Sequence, residues 1–207
     1  YWDYFMMIFS DRFVWVPFYA SFIFVLLKNF PVKVVMSTIV VITLIILFSD
    51  QTASGILKPL VARMRPSNPD NPISPMVHVV QGYRGGRYGF PSSHAANAWS
   101  MAFFAQYLVR RSKLTIFLCL WALITSYSRM YLGVHYFGDI LIGTLIGFLY
   151  ATLYYYIFQY FLRKHTERFK PNHDIRFASV PIITGLVSIW VIICTSGILS
   201  FYSIPLR

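Results

Sequence analysis

His135 and Asp139 stand four residues apart in the stretch SRMYLGVHYFGDILIG, with Arg129 six residues before the histidine. On a helix, positions i and i+4 share a face, so the carboxylate can fix one imidazole nitrogen. The other nitrogen is then free and more nucleophilic, the arrangement in which an acid orients a catalytic base or nucleophile. The same spacing also suits a buried His–Asp pair used only for packing, or two ligands of a metal. The metal reading is the weaker one, because few carboxylates stand nearby and the surplus of Lys and Arg would repel a cation.

Two further clusters carry chemistry. In KPLVARMRP, residues 58–66, Lys58 and Arg65 are seven apart. On a helix they differ by only about 20° in azimuth and face the same way. Arg63 points elsewhere and reads as a headgroup anchor. Pro59 removes a helix hydrogen bond and bends the chain, and Pro66 blocks its continuation. Alone, this cluster fits interfacial anchoring as well as anion binding. In GFPSSHAANAW, residues 89–99, Pro91 halts an extended approach, and Ser92 or Ser93 can cap a helix that opens at His94. The free N–H groups and positive dipole end of such a helix attract an anion. A plain helix cap with an incidental histidine is the competing reading.

The elements that must position these residues are apolar. Of the 207 residues, 57% are hydrophobic and 12% charged, against about 25% charged in a soluble domain. The fold class predicted is all-α, a polytopic membrane helix bundle of five to six spans forming a single domain, 1–207. Roughly, the apolar segments are 13–27, 34–57, 93–109, 114–127, 139–162 and 177–201. The segment 13–27 is the least secure, being short and holding Pro17. WDYFMMIFSDRF, before it, reads as an amphipathic helix lying in the interface. The chain opens on Tyr1 rather than Met, which leaves room for a preceding native segment, and its start does not read as a cleavable signal peptide. Cys119 and Cys194 sit in separate apolar segments and read as packed thiols rather than a disulfide.

The net charge of +11 does not imply nucleic acid. Lys28, Lys33, Arg110, Arg111, Lys113, Arg163, Lys164, Arg168, Lys170 and Arg176 fall on alternate connections, which the positive-inside rule makes cytoplasmic. The long connection 59–92 and the stretch 128–138 then lie on the opposite face. Lys58, Arg63, Arg65, Arg84, Arg87 and Arg129 break the charge asymmetry there, and an anionic ligand would account for them.

In order, the three clusters read K-x6-RP, PSxH and SR-x5-H-x3-D across residues 58–139. This pattern resembles the type 2 phosphatidic acid phosphatase superfamily of integral membrane lipid phosphatases. The resemblance implies that His135 attacks phosphorus and forms a phosphohistidine, with Asp139 orienting it. It implies that His94 protonates the leaving group and then helps activate water. Lys58, Arg65 and Arg129 would clamp the equatorial oxygens, with Ser92 and the backbone N–H at Ser93 completing the cradle. Three cations would supply the charge that a metal brings elsewhere, so neither metal nor cofactor is expected. Ser93 replaces the glycine often found in PSGH, which keeps the backbone donor but crowds the pocket slightly.

The expected substrate is a lipid phosphate or diphosphate in the bilayer, at the periplasmic or exterior face of a bacterial inner membrane. Undecaprenyl diphosphate ranks first, followed by phosphatidylglycerophosphate, phosphatidic acid and the phosphates of lipid A. Phosphotransfer to a lipid or sugar hydroxyl is an alternative use of the same site. A transporter with Arg129 and His135 as a gating pair is the reading from another class, and it leaves Lys58, Arg65, Ser92 and His94 unexplained. QGYRGGRYGF, within the loop 66–91, reads either as a mobile lid whose Arg84 and Arg87 contact a headgroup or second phosphate, or as a merely flexible loop. His78 reads as a loop residue, and His165 and His173 as solvated in a cytoplasmic connection. Gly143, Gly147 and Ala151 form a helix-packing stripe. Asp50 and Gln51 pair within the bundle, with a functional role open for an ionisable group at that depth.

Overall fold

The structure is a computed structural model that describes residues 1–165 and 175–205. Arg168, Lys170 and His173 lie outside the described residues, as do the side chains of Arg163, Lys164 and His165. Helices follow in the order α1 Trp2–Phe9, α2 Val16–Asn29, α3 Val32–Asp50, α4 Lys58–Val61, α5 Ser93–Val109, α6 Ser112–Tyr131, α7 Phe137–His165 and α8 Val180–Phe201. By length and composition, Val32–Val61, Ser112–Tyr131, Phe137–Leu162 and Val180–Phe201 can each cross a membrane. Trp2–Phe9 and Arg12–Asn29, bent 65° apart, together make a fifth candidate. The protein is thus an all-helical membrane bundle with four or five such spans among the described residues.

The expected third crossing, α5, has 17 residues and runs from the Ser92 end of the bundle to Arg110. It is the central helix, packed by α3, α6 and α7. Small residues make this possible: Ala95, Ala96, Ala98, Ser100, Ala102 and Ala105 are all buried on it. The facing stripe on α7 is the one read from the sequence. A Cβ on Gly147 would sit 2.6 Å from the Ala96 carbonyl and 2.8 Å from the Ser100 amide nitrogen, and one on Gly143 would strike the Ser92 carbonyl. Ala151 is fully buried. The opposite face of α7 carries Leu141, Leu145, Leu149 and Leu153, all about half exposed at four-residue spacing. A helix that buries glycine and exposes leucine is built for lipid, where close backbone approach rather than apolar burial drives association.

Pro59 shapes the end of the second span. Between α3 and α4 the backbone widens into a π-helix over Gln51–Leu57, and the Lys58 N–H reaches back five residues to Ala53. The widening accommodates a proline ring that would clash with the carbonyl four residues earlier in a regular α-helix. The helix then stops at Val61, with Ala62 in the left-handed conformation at φ 50°. Lys58 and Arg65 are therefore not on one helix face, contrary to the expectation from their spacing. The chain reverses instead: Met64 bridges Tyr88, the Gly89 N–H donates to the Arg63 carbonyl (2.9 Å) and the Arg65 N–H to the Arg87 carbonyl (3.3 Å).

The two ends of the bundle separate as the charges predict. At one end Asn29 Nδ2 donates to the Arg176 carbonyl and the Arg176 N–H to Asn29 Oδ1, at 2.8 and 2.7 Å. At the other end, Tyr131 Oη and His78 Nε2 meet Asp3 Oδ1 at 2.8 and 2.9 Å, joining α1, α6 and the long loop. His78 is thus a loop residue with a structural partner. α1 turns Met6 and Phe9 into the bundle and leaves Tyr1 and Trp2 exposed. Cys119 and Cys194 are free thiols, and Cys194 is exposed rather than packed.

The glycine stripe sets a stability expectation. Gly147→Leu should lower the melting temperature in detergent by an amount matching about 1–3 kcal/mol of overpacking, whereas Gly86→Ala, with nothing within 4 Å of its Cβ, should leave it unchanged.

Candidate active site

His135 does not sit on a helix. It lies in the turn between α6 and α7, two residues before Phe137, and the turn rather than the helical repeat brings it to Asp139. Gly133 makes the turn possible, with φ at 70° and a Cβ position 2.7 Å from the His78 carbonyl oxygen. Asp139, in the first turn of α7, is fully buried and accepts from three donors. Its Oδ2 takes His135 Nδ1 at 3.2 Å and the Tyr136 N–H at 2.8 Å. The second bond is the return stroke of a capping box, in which an acidic side chain reaches back to the helix start. Its Oδ1 pairs with Arg63 Nη2.

Arg63 is the residue that sequence reasoning misplaced. It is no headgroup anchor pointing away. Its guanidinium reaches Asp139 and lies over the rings of Phe90 and Tyr136, at 4.5 and 5.2 Å. The error came from extending helix azimuth past Ala62, where the helix has already ended.

The tautomer of His135 follows from its partners. Arg65 Nη1 stands 3.1 Å from Nε2, and a guanidinium can only donate. Nε2 is then the acceptor, which places the proton on Nδ1, where Asp139 receives it. Burial pushes the His135 pKa well below its ordinary value, and the positive charges of Arg65, Arg129 and Lys58 push it further, with His94 adding to them. The ring is therefore neutral, with its lone pair directed at a cluster of cations.

The remaining predicted residues gather around it. Ser92 is buried and caps α5, accepting from the Ala95 N–H at 3.4 Å, while its own N–H donates to the Asp139 carbonyl at 3.0 Å. That second bond ties the start of α5 to the start of α7. Lys58 Nζ lies 2.9 Å from Ser54 Oγ and 3.4 Å from Ser93 Oγ. Arg129 is buried, donating to Ser10 Oγ at 3.1 Å and to Tyr83 Oη at 2.8 Å. His94 is exposed and, with Ser93, lines a cavity beside the cluster. The structure brings all eight predicted residues to one end of the bundle.

Tyr83 and Ser54 carried no signal in the sequence beyond their neighbours. Asp50 stands one helical turn before Ser54, with Oδ1 3.5 Å from its hydroxyl. It faces the site through Ser54 rather than pairing with Gln51. The glycine-rich segment is pinned rather than loose: Arg84 is bonded to the Ser67 carbonyl and to Ser74 Oγ, so it braces the loop, while Arg87 is exposed with its guanidinium over Tyr88. Among the described residues, no three His, Cys, Asp or Glu side chains come together as a metal cluster.

Residues 34–163 match the profile of the PAP2 superfamily. The chain belongs to that superfamily. It is 44% identical over 196 residues to a lipid A 4'-phosphatase of Bacteroides thetaiotaomicron, covering 91% of this chain and 85% of the relative. A lipid A 4'-phosphatase of Porphyromonas gingivalis is 35% identical over 159 residues, 76% of this chain and 66% of that protein. A dihydrosphingosine 1-phosphate phosphatase of Schizosaccharomyces pombe is 27% identical over 171 residues, 73% of this chain and 39% of the other. No solved structure matches the chain significantly. The PAP2 protein described here is thus an integral membrane lipid phosphatase, a metal-independent phosphoric ester hydrolase.

Two expectations follow from the geometry. Arg63→Ala frees Asp139 Oδ1 and should lower kcat roughly tenfold, about 1.4 kcal/mol, with KM little changed, and Arg63→Lys should recover part of it. Because the His135 pKa lies below its ordinary 6.5, the free-base imidazole persists as pH falls through 6.5. The acid limb of kcat/KM, which reports free-enzyme groups, should therefore lie below pH 6.5 and move upward when Arg65 is replaced by Gln.

Proposed function

We propose that this phosphatase removes the 4'-phosphate of lipid A at the extracytoplasmic face of a bacterial inner membrane. The observation that carries the substrate is the 44% identity, over nine-tenths of the chain, to a lipid A 4'-phosphatase. The sequence alone ranks undecaprenyl diphosphate first, since the motifs grip phosphate and are blind to its carrier. Two bacterial relatives named for lipid A move that substrate ahead of it.

The site supports a two-step reaction. His135 Nε2 attacks phosphorus in line, and the bond from phosphorus to the sugar oxygen breaks as the P–N bond forms. Asp139 holds Nδ1–H and stabilises the positive charge that grows on the ring. His94 gives a proton to the departing oxygen, then takes one from the water that attacks the phosphohistidine. Inorganic phosphate leaves and His135 returns to its neutral form. Lys58, Arg65 and Arg129 neutralise the equatorial oxygens, with the Ser92 hydroxyl and the Ser93 N–H aimed at the same group. Arg65 exchanges its bond to His135 for one to phosphate, which uncovers the lone pair as substrate arrives.

The test is phosphate release by purified protein in EDTA from lipid A, undecaprenyl diphosphate, phosphatidylglycerophosphate and phosphatidate. Lipid A should be hydrolysed with the highest kcat/KM, and His135→Ala should lose at least about a thousandfold. A preference for undecaprenyl diphosphate would overturn the substrate assignment, and full activity in His135→Ala would overturn the mechanism.

A further inference from the structure

A cavity of about 200 Å³ opens on the His94 side of the phosphate cluster. That is smaller than the roughly 300–1,000 Å³ of pockets that enclose a drug-sized ligand, so it admits one ring-sized portion of a lipid. Trp15, Tyr19 and Trp121 wall it, with Trp121 set edge-on to both others at centroid distances of 5.8 and 6.3 Å. Three polar atoms on residues lining it are buried and have no hydrogen-bond partner among the described residues: Asn97 Oδ1, Trp121 Nε1 and Thr125 Oγ1. Trp121 and Thr125 are only 4% and 7% exposed. Such atoms also occur elsewhere in the bundle, on Ser49, Gln159 and Ser196, but three of them stand on residues lining this one cavity, and a buried polar group calls for a partner.

The chemistry of the orphans selects among ligands. Trp121 Nε1 can only donate, Asn97 Oδ1 can only accept, and Thr125 does either. An acyl or prenyl chain answers none of them. A second phosphate accepts but cannot donate when ionised, so it leaves Asn97 Oδ1 unmet, and with both Arg12 and Asp50 on the lining the charge of the cavity does not call for an anion. Hydroxyl groups donate and accept, tolerate a carboxylate, and come with an apolar ring face that packs on aromatic walls.

We propose that this cavity is the leaving-group subsite and seats a hydroxylated ring, the phosphate-bearing sugar of the glycolipid, whose acyl chains stay outside in the bilayer. The inference rests on the assignment of His94 as the acid that protonates the leaving oxygen. It extends that reading by naming what distinguishes a sugar phosphate from a lipid diphosphate or a glycerol phosphate. Asp50 then has two roles, facing the sugar hydroxyls and, through Ser54, the Lys58 ammonium.

The experiment compares Thr125→Val and Asn97→Leu, each near the native volume, with wild type in a detergent that carries no sugar headgroup. Two readouts are needed: kcat/KM on lipid A against phosphatidate, and inhibition of phosphatidate hydrolysis by the dephosphorylated glycolipid. The second does not require the protein to hydrolyse lipid A at all. Each variant should lose about tenfold or more on lipid A and keep its phosphatidate activity, and inhibition by the glycolipid should weaken in parallel. Equal loss on both substrates in both variants, or unchanged glycolipid inhibition, would overturn the subsite. A wild type that fails on lipid A yet is inhibited by the dephosphorylated glycolipid, with relief in both variants, would overturn the proposed substrate while upholding the subsite.

Discussion

The carboxylate of Asp139 is the fixed point of the molecule. It has no contact with solvent, and its oxygens are divided among an imidazole, a backbone amide and a guanidinium. A carboxylate out of water needs hydrogen bonds or a counter-ion to stay ionised, so the three donors and the acid hold one another in place. The imidazole and the amide come from adjacent residues of the turn before α7, and the guanidinium from the reversal after α4. The Asp139 carbonyl adds a fourth by accepting from Ser92 and setting the position of α5. The proposed nucleophile, its orienting acid and the helix that carries His94 therefore share one anchor.

The second constraint is electrostatic. Lys58, Arg65 and Arg129 crowd one end of the bundle, and their mutual repulsion needs an anion to relieve it. Phosphate does so, and the charge is in place before the substrate arrives. Burial, with the same crowding added to it, keeps His135 neutral, so in the proposed mechanism the cations that bind phosphate also hold its nucleophile in the reactive form.

The clusters, their shared end of the bundle and the helix-packing stripe of α7 were legible in the sequence because each rests on local spacing or charge count. Legibility failed where the chain leaves regular structure. Lys58 and Arg65 converge through a left-handed residue and a strand-like reversal, and His135 meets Asp139 through a glycine turn. Arg63 was misplaced for that reason, since its azimuth on an imagined continuation of α4 has no meaning beyond Ala62. The cavity beside His94 was invisible because Trp15, Asn97 and Trp121 come from three helices whose packing no local pattern encodes. The phosphate motifs are blind to the lipid, so the proposed substrate rests on relatives.

The central claim is that Asp139-held His135 accepts the phosphoryl group. Trapping tests it directly: rapid acid-free quenching of the His94→Ala variant after mixing with radiolabelled lipid phosphate, followed by peptide mapping. The account predicts label on the peptide containing His135, stable in alkali and lost in acid as a phosphoramidate must be. Label that survives acid on the Ser92–Ser93 peptide would contradict it.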